Sequence, residues 1–117
     1  MTKEEFRKRT MEFGLRAIRL VQSLARNDVA RVLGKQLLRS GTSVGANYRA
    51  AIRGRSRADF IAKMGIVEEE CDEALYWMEM LIESKLVKAS LLKDLRNEGD
   101  QILAIVVASI RTARRRK

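Results

Sequence analysis

The chain has no proline and no histidine, a single cysteine, and aromatic residues at only 5 % of its 117 positions. Each scarcity excludes something. Proline is the strongest helix breaker, and β-sheet cores lean on aromatic and β-branched side chains, so their joint shortage predicts long uninterrupted helices. The absence of histidine removes the commonest general base and metal ligand. A di-iron bundle needs paired Glu-x-x-His motifs, which Glu70 and Glu73 cannot supply, so neither metal nor cofactor is expected. Cys71 has no second cysteine to pair with, which favours a reducing, cytoplasmic setting. It falls on an apolar stripe and reads as a packing residue, not a nucleophile. The opening residues MTKEEFRKRT are charged and lack the apolar core of a secretory signal. The longest apolar run, Ile102 to Ile110, is far shorter than the roughly 20 residues that span a bilayer, so a soluble protein with no membrane partner is expected. The Gly41–Gly45 stretch lacks the Gly-Lys-Ser/Thr ending of a phosphate-binding loop. Nothing in this inventory predicts an enzyme.

What the chain does have is charge. Its net charge is +9 and its pI about 10.3, which points to polyanionic partners. From Val29 to Ala58 the charged residues are Arg31, Lys35, Arg39, Arg49, Arg53, Arg55 and Arg57, with no acid among them. From Asp59 to Glu83 the balance reverses, with Glu68, Glu69, Glu70, Asp72, Glu73 and Glu79 between those two acids and Lys63 as the sole base. The chain then closes on RTARRRK. A basic stretch facing an acidic one can pair inside a bundle, but that leaves the Arg53–Arg57 turn and the tail unmatched.

Periodicity predicts four helices. In the first, running to about Leu24, Thr2 and Glu5 form a capping box, and Phe6, Thr10, Phe13, Ala17, Leu20 and Leu24 make a core stripe. A second row, Met11, Leu15 and Ile18, widens the apolar arc beyond what one core needs. It reads either as an oligomer interface or as a helix wedged deep among its neighbours. The second helix is capped by Asn27 or Asp28 and continues to about Arg53. Its Gly41–Gly45 stretch looks like a loop by local propensity, yet Gln36, Ser40, Ser43 and Asn47 keep helical spacing. The stretch is read as a small, polar seam within one long helix, able to hydrogen-bond across the interface and including Arg39, with Glu70 and Glu73 read as partners for Arg39 or for the Ser/Asn seam, or as a solvated acidic face; a break near Gly41–Gly45 is the alternative. Ser56 and Asp59 cap the third helix, whose stripe is Phe60, Met64, Val67, Cys71, Ala74, Met78 and Leu81. Ser90 is expected to cap the fourth, with Leu92, Leu95, Gly99, Ile102, Val106 and Ser109 inward. Short connections make an all-α, antiparallel up-and-down four-helix bundle over residues 1–110, followed by a frayed basic tail at 111–117.

Function, on this reading, rests on arginine. Arg49, Arg53, Arg55 and Arg57, with Arg111, Arg114, Arg115, Arg116 and Lys117, are the candidate nucleic-acid contacts, because guanidinium forks match phosphate oxygens in pairs. Tyr76 and Trp77 could stack on bases but fit a core or interface better. No helix-turn-helix, zinc finger or aromatic ribonucleoprotein motif is present, so backbone-tracking contacts with little sequence preference are expected, to RNA ahead of DNA. A protein-interaction scaffold for an acidic or polymerase-like partner is the alternative.

The stretch QLLRSGTSVGANYRAAIRGRSRADFIAKMGIVEEECDEALYWMEMLIES, Gln36 to Ser84, resembles the bacterial four-helix bundle family that includes proteins encoded in intervening sequences of large-subunit ribosomal RNA genes. Gln36 with Arg39-Ser40, the run Ser43 to Tyr48, Ser56 with Asp59-Phe60, and Glu70/Glu73 through Tyr76-Trp77 carry the likeness. Where that family usually has a glutamate after Asn-Tyr-Arg, this chain has Ala50. The resemblance implies an antiparallel bundle assembled into a ring-like homo-oligomer, typically a pentamer, with no established enzymatic activity. More distantly, it implies kinship with the basic, nucleic-acid-binding accessory proteins of diversity-generating retroelements, whose partner is a reverse transcriptase.

Overall fold

A computed structural model describes residues 1–116. Four helices, α1 (Lys3–Gln22), α2 (Asp28–Ile52), α3 (Arg57–Glu83) and α4 (Ala89–Arg115), run up and down in an antiparallel bundle about 51 Å long and 20 Å across. Each helix packs on its sequence neighbours, and α1 closes lightly on α4.

The starts of three helices follow from local chemistry. Thr2, Asn27 and Ser56 sit in extended conformation, and their side-chain oxygens accept from the backbone N–H groups of Glu5, Ala30 and Asp59. The fourth start differs from expectation. Lys88, not Ser90, is the N-cap of α4, and it makes no side-chain capping bond. The reason lies upstream: α3 ends in a Schellman turn, with Leu86 N–H on the Leu81 carbonyl at 3.0 Å and Lys85 N–H on that of Ile82 at 2.9 Å. That geometry puts Lys85 at φ 63° and directs the chain straight into α4 two residues before Ser90. α4 also outruns its expected end. The frayed tail past Thr112 is replaced by helix to Arg115, because Ile110 and Ala113 are still buried against the bundle.

Helix α2 is unbroken through Gly41 and Gly45. Tertiary contact overrides propensity here. A Cβ on Gly41 would lie 2.8 Å from the Cβ of Ala17, and one on Gly45 would lie 3.3 Å from the backbone of Thr10. Only glycine lets α1 approach α2 this closely.

The core is one cluster in which Phe6, Phe13, Leu37, Val44, Met64, Val67, Met78, Leu81, Leu92, Ile102 and Val106 are buried. Phe6 packs edge-on against Tyr48 with ring centroids 4.8 Å apart. Cys71 is fully buried, its thiol donating to the Gly99 carbonyl at 3.4 Å, and burial pushes its pKa up to about 12. A thiol that resists ionisation is a packing group.

The seam makes a paired prediction. Gly41→Ala should destabilise the fold, because the overpacking penalty of about 1–3 kcal/mol exceeds the helix-propensity gain of about 1 kcal/mol. A methyl group added at Gly65 would meet nothing within 4 Å, so Gly65→Ala should gain about 1 kcal/mol. Urea midpoints of the two variants, compared with the parent, check both signs; equal gains would remove the close-approach account.

Candidate nucleic-acid interface

An up-and-down bundle brings alternate helix ends together. The start of α1, the end of α2, the start of α3 and the end of α4 therefore share one end of the molecule, and a cleft of about 770 Å³ there touches all four. Arg49 and Arg53 lie in the last turn and C-cap of α2, Arg55 in the following turn, and Arg57 opens α3. Arg111, Arg114 and Arg115 occupy the closing turns of α4, with Arg116 as its C-cap. Two groups of arginines far apart in sequence thus share one end of the molecule, with Arg57 and Arg116 lining the cleft itself and Arg49 the groove between α1 and α2. All of these side chains are exposed, and among the described residues none of them is in an ion pair. Lys117, the last of the candidate contacts, lies outside the described residues.

Two of the acids near this end are engaged, while Glu5, exposed in the first turn of α1, makes no ion pair among the described residues. Glu4 pairs with Arg7, whose guanidinium holds its carboxyl below the ordinary glutamate range. Asp59 accepts from Lys63 at 3.0 Å and from the Arg55 backbone N–H at 3.1 Å, and both bonds hold its pKa down. The turn itself is tight: a Cβ on Gly54 would lie 3.0 Å from the Ala51 carbonyl and 3.3 Å from the Asp59 carboxylate.

The polar seam is present in position but not in bonding. Ser40 is fully buried, and its hydroxyl donates to the Gln36 carbonyl of its own helix at 2.8 Å. Ser43 and Asn47 turn back likewise, onto the carbonyls of Arg39 and Ser43. The expected hydrogen bonds across the interface are not made by these residues, because a short hydroxyl on a helix reaches its own i−4 carbonyl more readily than a neighbouring helix. The crossing is made by Arg39 alone. Its guanidinium donates to Glu70 at 3.1 Å and to Glu73, with Gln36 at 3.5 Å from its Nε. Glu73 also accepts from Trp77 Nε1 at 3.2 Å, and the two bonds lower its pKa, Arg39 more than Trp77.

The outer row of α1 stays uncovered within one chain. Met11 and Leu15 are 55 % and 41 % exposed, and with half-buried Ile18 they line a groove of about 310 Å³ between α1 and α2. Two further exposed side chains, Ile66 and Tyr76 at 43 % and 51 %, stand nearly three turns apart on α3 with the acids Glu69 and Glu73 between them. Tyr76 packs edge-on to Trp77 in acidic surroundings, which suit a basic partner and not a nucleobase on a phosphate backbone.

Sequence reading missed Lys3 and Arg7. Lys3 lines the cleft with Arg57 and Arg116, and Arg7 shares the α1/α2 groove with Arg49. The signal was available in the topology, since four alternating helices must place the start of α1 beside the end of α4. Among the described residues, no cluster could hold a metal ion, and no helix is long and apolar enough to cross a membrane.

The sequence matches the family model of the 23S rRNA-intervening sequence protein over residues 2–108. A solved structure from Bacteroides thetaiotaomicron, a protein of unknown function from the S23 ribosomal protein family, is 34 % identical, with a TM-score of 0.88. The alignment covers 95 % of this chain and 99 % of that one. No curated protein matches.

Trp77, the sole tryptophan, makes the Arg39 crossing measurable. Its fluorescence should change on acidification with a midpoint below the ordinary glutamate value of 4.5, as Glu73 protonates. Because that pKa is depressed in the folded state, the crossing stabilises above the unfolded pKa and is lost as pH falls through the folded one. In Arg39→Met the midpoint should rise toward the ordinary value; an unmoved midpoint would show that Arg39 does not set it.

Proposed function

We propose a function from one premise: the chain belongs to the 23S rRNA-intervening sequence protein family. It works as a non-enzymatic, basic, oligomeric nucleic-acid-binding protein that grips the phosphate backbone with little sequence preference, RNA ahead of DNA. The observation that carries this reading is the convergence of Arg49, Arg53, Arg55, Arg57, Arg111, Arg114, Arg115 and Arg116 on one end of the bundle with no acid paired to them. Exposed, unpaired guanidinium groups contribute little to folding, whereas each phosphate they neutralise releases counterions and adds to affinity. The family's name supports RNA as the first polyanion to test.

Oligomerisation supports the same activity. The groove bearing Met11 and Leu15 and the α3 face bearing Ile66 and Tyr76 are different surfaces of opposite charge character. Copies joined through them meet head to tail, and such contacts form a ring when the rotation closes. A ring with parallel bundle axes sets every basic end on one rim, so several weak grips act on one strand with a gain in avidity of about 10²–10⁴.

Replacing Arg53, Arg55 and Arg57 with alanine should weaken binding to unrelated RNA sequences alike. For a duplex, the slope of log affinity against log salt should shrink by about 2 to 3, from about 0.9 per lost contact. Unchanged affinity and slope would remove this end from the interface. Purified protein that shifts neither RNA nor DNA at moderate salt, yet keeps a protein partner after nuclease treatment, would instead favour a scaffold.

Assembly has its own test by light scattering. Met11→Glu and Ile66→Glu should each yield monomers, and mixing the two should give a 1:1 dimer that grows no further, since each contributes one intact face. No association in the mixture would exclude the head-to-tail pairing.

A further inference from the structure

The cleft at the basic end is unfilled for a reason visible in the sequence. Its floor is apolar, from half-buried Ile52, Phe60 and Ile105. Its α4 wall is built from Ala108, Ser109, Thr112 and Ala113, side chains too small to plug it. A bundle selected only for stability would close this end with larger residues, because each buried methylene contributes about 0.8 kcal/mol. Two of the three hydroxyls beside it are engaged within the fold, while that of exposed Thr112 makes no hydrogen bond among the described residues. Ser109 donates to the Ile105 carbonyl at 2.8 Å, and Ser56 accepts from the Asp59 N–H at 3.0 Å. The slot therefore presents apolar surface inside and cations at its mouth, where Lys3, Arg57 and Arg116 stand.

We infer that this cleft receives one unpaired nucleotide of the bound strand, its base on the apolar floor and its phosphate on the cationic rim. The inference rests on the nucleic-acid reading above and narrows its substrate to strands with unpaired residues. Charge complementarity selects this occupant. An apolar slot with a single cation would suit any amphipathic anion. Here the positive surface runs on past the mouth through Arg53, Arg55 and Arg111, which matches a chain of phosphates. A base paired and stacked on both faces cannot enter, so a blunt duplex engages the rim alone. Stacking a base on an aromatic side chain, here Phe60, strengthens binding by about tenfold per base or more.

The test uses the intact chain with three oligonucleotides: a blunt RNA duplex, the same duplex with a short single-stranded overhang, and a longer blunt duplex matched in phosphate number to the second. Ala108→Phe and, independently, Thr112→Phe fill the slot from exposed wall positions without replacing an arginine. Circular dichroism and thermal melting verify that both variants keep the fold. The parent should prefer the overhang over the matched duplex by about tenfold, and both variants should lose that preference while keeping the blunt affinity. Equal affinity of the parent for overhang and matched duplex overturns the slot, as does a preference that survives both fillings. If the parent binds none of the three at moderate salt, the broader nucleic-acid reading falls and takes the slot with it; if it binds all three equally, the slot alone falls.

Discussion

Helices α1 and α2 meet at backbone distance, with Ala17 against Gly41, Gly14 against the backbone of Thr42, and Gly45 against that of Thr10. Much of the molecule's surface follows from that contact. Because α1 stands closer to α2 than to α4, its position is set by backbone-close packing on α2 and, toward α4, by side chains, with buried Phe13 beside Gly99 and a polar clasp. In that clasp Arg9 donates through two nitrogens to Glu98 and through one of them to Gln101, each bond 2.7 Å long. Such a helix lies flat on its neighbour, so the stripe Phe6, Thr10, Phe13 and Ala17 is covered while the row Met11 and Leu15 is left outside. The wide apolar arc of α1 has one half satisfied within the chain and the other half available to a second surface.

The fold was legible wherever a local rule and the global arrangement agreed. Three of four caps could be read from Thr2, Asn27 and Ser56 because an N-cap hydrogen bond involves only residues three apart. The core stripes could be read because helical period and burial coincide. Legibility failed where a distant contact decided. Ser90 looks like a cap until Lys85 is found in left-handed conformation upstream, whereas the helix through Gly41–Gly45 was legible, against local propensity, from the spacing of Gln36, Ser40, Ser43 and Asn47. The seam illustrates a subtler failure. Periodicity put Ser40, Ser43 and Asn47 on the correct side of α2, but it could not say whether their polar atoms face the neighbour or their own carbonyls.

The charge pattern divides along similar lines. The basic stretch of α2 and the acidic stretch of α3 lie on adjacent antiparallel helices, yet among the described residues they meet through Arg39 with Glu70 and Glu73 and through no other ion pair. Antiparallel register explains why. Arg39 and Glu73 fall near the middle of their helices, whereas Arg49 and Arg53 fall beside the start of α3, where Arg57 and Lys63 are met before any glutamate. Pairing between the basic stretch of α2 and the acidic stretch of α3 is therefore confined to the centre of the bundle, and at its end the only acid of α3 within the first turns, Asp59, pairs with Lys63 of its own helix.

The helix dipole separates arginines that stability can explain from those it cannot. Arg49, Arg53, Arg111, Arg114 and Arg115 sit at the C-terminal ends of α2 and α4, where a cation gains about 0.3–1 kcal/mol against the unsatisfied carbonyls. Their presence would be ordinary in a protein with no ligand. Arg55 and Arg57 sit at the opposite pole, at the N-terminus of α3, where the dipole disfavours positive charge by a similar amount. The same turn shows what the local field prefers, since Asp59 is held ionised there by Lys63 and the Arg55 N–H. Two exposed arginines placed against the field make no ion pair among the described residues, and Asp59, the acid that favours the Arg55 charge, is shared with Lys63, which leaves the rest of the compensation to come from outside the fold. A polyanion laid across that end supplies it, and it does so while drawing on the C-terminal arginines that stability had already put within reach.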